Sequence, residues 1–468
     1  MNKYKKLINN SIIFAIGNLG NKIIQFVLIP LYSFTLTTSH FGDADFLSQI
    51  VFLLTPIVSL ELFDAAFRFA LDKNENKREI FNTVSMILSV SALIVLLVSF
   101  IIAPFFKRYP IVLTAIFLIL NFSFSFFSNF IRALGYVTQF AIAGIVNTFF
   151  MGIANVVLLL FMKLGVSGYI LAFAIGLFSG VVYILVSTKV YKYFDYSLFN
   201  FNKLVQMLKY SFPLIPNYFA WWLNASSDRL FIIMMIGSGA NGIYAMANKI
   251  PNFISTVVTI FSQSWQISIV EEYKNRDNTT FISNVYNYFF CILILIGCLI
   301  MAFIKPFFYL VIDHTYYQGW LLTPILVLAA IYSGVALLLE GIYTAYKETF
   351  SVFVTTMIGA IVNVILTILL IHIIGYYGAA WANAVSFFMV FLLRSIEIVH
   401  KKILNIDVKR ILGYHFIFLI ICIFPIIIKN IYLPSVIDVL LIGIVVLSDK
   451  TIKNRLFKAI SNNLRRHL

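Results

Sequence analysis

Charge is scarce in this chain. Of its 468 residues, 11% are Asp, Glu, Lys or Arg, while 61% are hydrophobic, and the mean hydropathy is +0.95. Soluble domains carry about 25% charged residues, and no soluble fold has interior enough to hide this much apolar surface. The polar connections are also short, the longest lying around "RFALDKNENKRE" and "STKVYKYFDYSLFNFNKL". A soluble catalytic lobe is therefore excluded. With only 6 scattered His, no metal centre is expected. The three cysteines, Cys291, Cys298 and Cys422, all lie in apolar stretches without disulfide or metal spacing, and read as packing residues.

Other signals are missing too. The start, "MNKYKKLINNSIIFAIGNLGNKIIQFVLIPLY", opens basic, but its apolar segment outruns a signal-peptide core and no small-residue cleavage site follows. It reads as an uncleaved first span. "GSGANG", Gly237 to Gly242, matches a dinucleotide fingerprint by letter only: no strand precedes it, so a tight turn is expected. "GNLGNK", Gly17 to Lys22, lacks the spacing and the Ser/Thr of a phosphate-binding loop. No nucleotide site and no cofactor is expected.

What is present is apolar length. Stretches of about 20 residues long enough to cross a bilayer begin near residues 9, 43, 79, 110, 138, 166, 207, 241, 281, 320, 350, 376, 411 and 433. With the N-terminus inside, only Lys107, Arg108, Lys163, Lys305 and Lys429 fall on the outer side. Lys22, Arg229 and Lys249 fall within spans, and the rest of the 34 Lys and Arg lie on the inner side, at the N-terminus, in inner loops and in the C-terminal tail. That bias is the positive-inside pattern. The net charge of +15 thus reports topology and an anionic inner leaflet, not a nucleic-acid partner.

An internal repeat is visible. "SHFGDADFLSQIVFLLTPI" resembles "SGANGIYAMANKIPNFIST", placing Gly42 opposite Gly242. "IIAPFFKRY" resembles "AFIKPFFYL", placing Pro104 opposite Pro306, and "LGVSGYILA" resembles "IGYYGAAWA", placing Gly165 opposite Gly375. The expected fold is an all-α polytopic membrane protein with two six-helix bundles, residues 1–195 and 196–403. Residues 404–468 add two further helices and a basic inner tail. An even number of spans per bundle makes this a parallel repeat about an axis along the membrane normal, with a site between the halves.

Polar residues fall on faces of the spans, and in lipid such faces turn to a bundle interior or a wet cavity. The first span carries Asn18, Lys22 and Gln25 on one face; the fourth carries Asn121, Ser125, Ser128 and Arg132. The seventh carries Asn217, Trp221, Asn224 and Asp228, with Arg229 about a hundred degrees round. The eighth carries Lys249, Asn252, Thr256, Thr259, Gln263 and Gln266. Scattered Asn, Ser and Thr are readily explained as interhelical hydrogen bonds. Lys22 and Lys249 have no carboxylate one turn away, and an intramembrane cation costs roughly 2.5–3.5 kcal/mol on insertion scales. They are candidate ligands for an anionic headgroup, with Arg229 either joining them or pairing with Asp228. Asp64, Arg68 and Glu340, near inner helix ends, are candidates for a gate or for proton or sodium coupling, beside the plainer reading of wetted helix ends. Pro30, Pro56, Pro213, Pro216 and Pro251 interrupt spans where lobes would bend.

The stretch "YSFPLIPNYFAWWLNASSDRLFIIMMIGSGANGIYAMANKIPNFISTVVTIFSQSWQISIVEEY" carries a resemblance in its P-L-I-P, its D-R, its G-I-Y-x-x-A-N-K-I-P and its Q-S-W. "GNLGNKIIQFVLIPLYSFTLTTSHFGDADF" adds to it. Both are similar to bacterial polysaccharide exporters, the Wzx-type flippases of O-antigen and capsule repeat units in the MOP (multidrug/oligosaccharidyl-lipid/polysaccharide) superfamily. The resemblance implies a V-shaped transporter of the bacterial plasma membrane with no enzymatic step. Its cargo would be an undecaprenyl-diphosphate-linked oligosaccharide moved to the outer leaflet by alternating access. It also implies a polysaccharide polymerase and chain-length proteins as partners. Other cargoes in the same fold stay open: lipid II, a teichuronic-acid unit, or a drug exchanged for ions. A membrane polymerase would call for a larger outer loop than any here.

Overall fold

A computed structural model describes residues 24–273, 279–346, 348–428 and 430–448; Asn18 and Lys22 lie outside them. Among the described residues regular structure is helical throughout. Bilayer interior offers the backbone no hydrogen-bonding water, so a chain this apolar satisfies its amides within helices.

The first lobe contains α1 (Ile24–Thr35), α2 (Thr38–Val58), α3 (Leu62–Ala70), α4 (Lys77–Ile102), α5 (Ile111–Ala133), α6 (Val137–Asn155) and α7 (Gly165–Thr188). Next come α8 (Phe201–Ser211), α9 (Leu214–Met235), α10 (Ser238–Lys249), α11 (Asn252–Tyr273), α12 (Thr279–Val311), α13 (Thr323–Ala345), α14 (Thr349–Ile374) and α15 (Tyr376–His400). Last are α16 (Val408–Ile427) and α17 (Leu433–Ser448). Among the described residues ten spans, one of them α6 with its π-helical continuation Val156–Phe161, are long and apolar enough to cross a membrane. The expected seventh and eighth spans are broken and more polar. Pro213 parts α8 from α9 and Pro251 parts α10 from α11, because proline lacks the amide a continuing helix needs. In the second span the break follows Pro56, where Leu60 and Glu61 take positive φ of 52° and 53°.

Packing follows the repeat. In the first lobe α7 lies against α5 and α6, and α5 against α2 and α3; in the second α15 lies against α13 and α14, and α9 against α14. Helices α16 and α17 dock on α12, outside the repeat. Repeat landmarks share backbone geometry: Gly165 and Gly375 each open a helix at positive φ, 55° and 60°, which a Cβ would disfavour. The lobes meet where α2 packs on α9 and α10. The short inner helix α8 packs on α3 and α4, burying Leu204 and Met207.

Candidate functional site

Between the lobes lies a cavity of about 270 Å³ bordered by α1, α2, α9, α10 and α11. Gln25, Asp45, Gln49, Arg229, Lys249 and Asn252 supply its polar wall; Phe26, Tyr32, Phe52 and Phe253 supply much of the apolar one. Of the sequence-derived candidates, the structure thus brings Gln25, Arg229, Lys249 and Asn252 to one space. The Lys249 ammonium stands 5.6 Å from the centre of the Phe41 ring, a cation–π distance.

The Asp228–Arg229 pair separates. The Arg229 Nε lies 2.9 Å from Asp45 Oδ2, an ion pair from α9 to α2 whose side chains are 10% and 4% exposed. Its Nη1 also donates to Ser226 Oγ at 3.2 Å. Asp228 is fully buried and turned from the cavity into its own lobe, which corrects its place among the cavity residues. It accepts from the Tyr244 hydroxyl, from Asn383 Nδ2 at 3.2 Å and from the Arg229 amide at 2.8 Å. The reason is helical: neighbours on a helix point about a hundred degrees apart, so one faces the lobe interior while the other crosses the cleft. Asn224 joins Asp228's side, accepting from Ser386 Oγ at 3.2 Å.

Asp45 was not among the sequence candidates, nor was Asp43. The signal for both lay in the repeat, where "GDADF" faces "GIYAM" and the first copy alone carries acids. With Asp45 present, the cavity holds an internal ion pair beside Lys249 rather than cations alone.

On the outer side of this cavity the lobes touch backbone to backbone. A Cβ on Gly42 would lie 1.9 Å from Ser238 O, and one on Gly242 would lie 1.8 Å from Thr38 O, so only glycine permits this crossing. The two repeat-related glycines are thus each other's seat. Around them, Arg108 Nη2 donates to Asp43 Oδ2 at 2.8 Å and to Ser238 Oγ at 2.8 Å, and Ser238 donates to Asp43. The Asp43 carboxylate holds the Arg108 guanidinium above its ordinary pKa. Asn241 Nδ2 donates to Gly42 O at 2.8 Å. These bonds tie α10 of one lobe to α2 of the other and close the outer side.

Further in, Trp222 Nε1 donates to Gln49 O at 3.0 Å, and the Tyr218 hydroxyl donates to Asp64 Oδ2 at 3.0 Å. Asp64 also accepts from Asn129 Nδ2 at 3.0 Å, so it ties the lobes at the inner end, while Arg68 is exposed in the last turn of α3. Glu340 sits apart from all of this. It lies 3.2 Å from Arg394, a fully buried guanidinium that also donates to Ala336 O, Thr355 Oγ1 and Thr356 Oγ1 at 2.8, 3.0 and 2.9 Å. A buried cation needs that many acceptors, and Glu340 completes the set. Elsewhere, only Gly237 of "GSGANG" forms a turn, with a φ of 128° and its amide donating to Ile232 O at 3.0 Å, capping α9; the other five residues, Ser238 to Gly242, already belong to α10, which corrects the expected tight turn.

This arrangement of two repeated bundles, a cleft between them and a pair of appended helices is similar in fold to solved membrane transporters and flippases. A lipid II flippase, MurJ in its inward closed conformation, superposes with a TM-score of 0.73 at 14% identity, over 96% of this chain and 99% of that one. An inward-facing multidrug-resistance MATE transporter of the MOP superfamily gives 0.62 at 14% identity, over 83% and 95%. A point mutant of the Vibrio cholerae MATE transporter VcmN gives 0.56 at 13% identity, over 86% and 98%. No curated protein matches the sequence significantly. The profile of the family described as "Polysaccharide biosynthesis protein" matches residues 7–266, and the chain belongs to that family. It is a multi-pass membrane protein with the fold of transporters and flippases.

Proposed function

We propose that the protein is a flippase of the bacterial plasma membrane. On this reading it carries an undecaprenyl-diphosphate-linked oligosaccharide, a building unit of a surface polysaccharide such as O-antigen or capsule, from the inner to the outer leaflet. The observation that carries the reading is the cavity shared by both lobes, where Lys249, Arg229, Gln25 and Asn252 converge. A diphosphate or an acidic sugar is held there by charge-assisted contacts, and the amides of Gln25 and Asn252 suit sugar hydroxyls. The outer side is closed by the Gly42–Gly242 crossing, and on this reading cargo enters from the inner leaflet once the Tyr218–Asp64 tie at the inner end is released.

Arg229 reaches cargo only by sharing itself with Asp45; on this reading Lys249 takes part in the anion binding, with Lys22 as its counterpart from the first span. The test is neutral substitution of Lys249 (to Gln), alone and with Lys22→Gln, in cells. Surface polysaccharide is read alongside membrane abundance of the protein. The reading expects export to fall at least about tenfold at normal abundance, the loss of one charge-assisted contact or more. Normal export by the double variant overturns it. A second reading, a cationic cargo exchanged for protons or sodium, is favoured by the Asp45 carboxylate in the cavity wall. Flux in liposomes under imposed proton or sodium gradients separates the two.

A further inference from the structure

The outer face carries a second cavity, of about 570 Å³, on the first lobe. His40, Asp43, Lys107, Arg108 and Lys163 line it. Its composition runs against the topology of the chain, which keeps Lys and Arg off the outer side. Of the few outer cations, Lys305 is buried and donates to Pro425 O and Ile428 O, each at 2.8 Å, and Lys429 lies outside the described residues. Lys107, Arg108 and Lys163 come from two different loops and meet at one hollow. Like charges gathered this way repel each other unless an anion sits among them. The single acid in the wall, Asp43, is already shared between Arg108 and Ser238. The same hollow is bordered by the starts of α2, α5 and α7 through Ser39, Pro110 and Gly165, whose helix dipoles are positive there.

We propose that this pocket binds a phosphate-bearing headgroup on the outer face, and that its occupation opens the outer gate. Arg108 links the two events. It is 57% exposed toward the pocket while its Nη2 holds Asp43, which is 6% exposed, and Ser238 of the other lobe. An anion between Lys107 and Lys163 draws the guanidinium outward, away from Ser238 at the start of α10, its one bond across the lobes, and away from the Asp43 carboxylate that Ser238 also holds. The pocket is separate from the central cavity, and the inference does not depend on what that cavity carries.

The test uses the full chain in phosphatidylcholine nanodiscs, with inorganic pyrophosphate as probe. Binding is measured by calorimetry. The gate is read by the oxidation rate of the pair Thr38→Cys and Gly239→Cys, positions where a Cβ at 239 would lie 3.6 Å from the Thr38 hydroxyl; the native Cys291, Cys298 and Cys422 are buried. Pyrophosphate is expected to bind and to slow the cross-link several-fold. Lys107→Gln with Lys163→Gln is expected to weaken binding about tenfold, as the loss of charge-assisted contacts implies, and to remove the slowing, leaving the basal cross-link rate unchanged. Lys249→Gln, in the central cavity, is expected to leave the slowing intact, whatever pyrophosphate binding it removes from that cavity. If phosphatidylglycerol in the nanodisc slows the cross-link where pyrophosphate does not, and the double variant abolishes the slowing, the ligand is a lipid headgroup and the proposal stands. It is overturned if neither anion moves the cross-link rate, if the double variant keeps the response, or if only Lys249→Gln removes it.

Discussion

Arg229 on α9 meets Asp45 on α2 at 2.9 Å, although its neighbour in sequence, Asp228, is the closer carboxylate along the chain. The pair spans the cleft between the lobes inside the cavity wall, so it is both a structural tie and a part of the space cargo would occupy.

Removing one member leaves the other buried and uncompensated, which costs roughly 3–5 kcal/mol for a buried pair. Asp45→Asn and Arg229→Gln are each expected to lower the unfolding temperature in detergent markedly. The double variant should recover a large part of the loss. A double variant as unstable as the sum of the singles would show that the two charges are not coupled.

Gly42→Ala and Gly242→Ala each put a methyl against a carbonyl oxygen of the facing helix, at 1.9 and 1.8 Å. Overpacking of this kind costs about 1–3 kcal/mol, here charged only to the state in which the outer side is closed. Both variants are expected to shift the population toward an outward-open form, about tenfold for each 1.4 kcal/mol. A cysteine at Gln49, in the cavity, should then react faster with a membrane-impermeant maleimide added outside. An unchanged labelling rate would mean that the crossing is not the gate.

Arg394 is a different kind of charge. It is held by carbonyls and hydroxyls from α13 and α14 as well as by Glu340. Arg394→Leu is expected to cut the yield of folded protein severely, since Glu340 and several acceptors lose their donor. Glu340→Gln keeps an acceptor for Arg394 and should lower stability by only about 1–2 kcal/mol, with transport retained. Loss of transport at full stability in Glu340→Gln would restore a coupling role for that carboxylate.

Asp313 caps the outer turn His314–Leu321, accepting from the Thr315 amide at 2.9 Å and the Thr315 hydroxyl at 2.7 Å. Those bonds, the hydroxyl's first, hold its carboxyl below the usual carboxylate range. A depressed carboxyl stabilises the fold above its unfolded pKa and loses that contribution as the pH falls through its folded value. Asp313→Ala is therefore expected to cost up to about 1 kcal/mol at neutral pH. The gap to wild type should shrink on acidification below about pH 4. Melting curves across pH check this, and a gap that widens toward acid contradicts it.

The membrane character, the spans and the repeat were legible because each rests on a property carried along the chain: apolar length, the side on which Lys and Arg fall, and similar segments in the same order. Gln25, Arg229, Lys249 and Asn252 were legible as candidates for a related reason, since a polar group in a lipid-facing helix has few places to go. Asp45 was missed because its partner comes from the other lobe, and no spacing along either helix announces it. Asp228 was misplaced because a helical stripe fixes an angle around the helix axis but not which neighbour that angle faces. Gly42 and Gly242 were visible as landmarks of the repeat, yet only the packing of α2 on α10 shows that each is small because the other's helix lies against it. The sequence by itself determined what must be buried in lipid and on which side the chain would turn. The tertiary structure alone decided which buried charges meet, because that depends on contacts between helices that local periodicity does not encode.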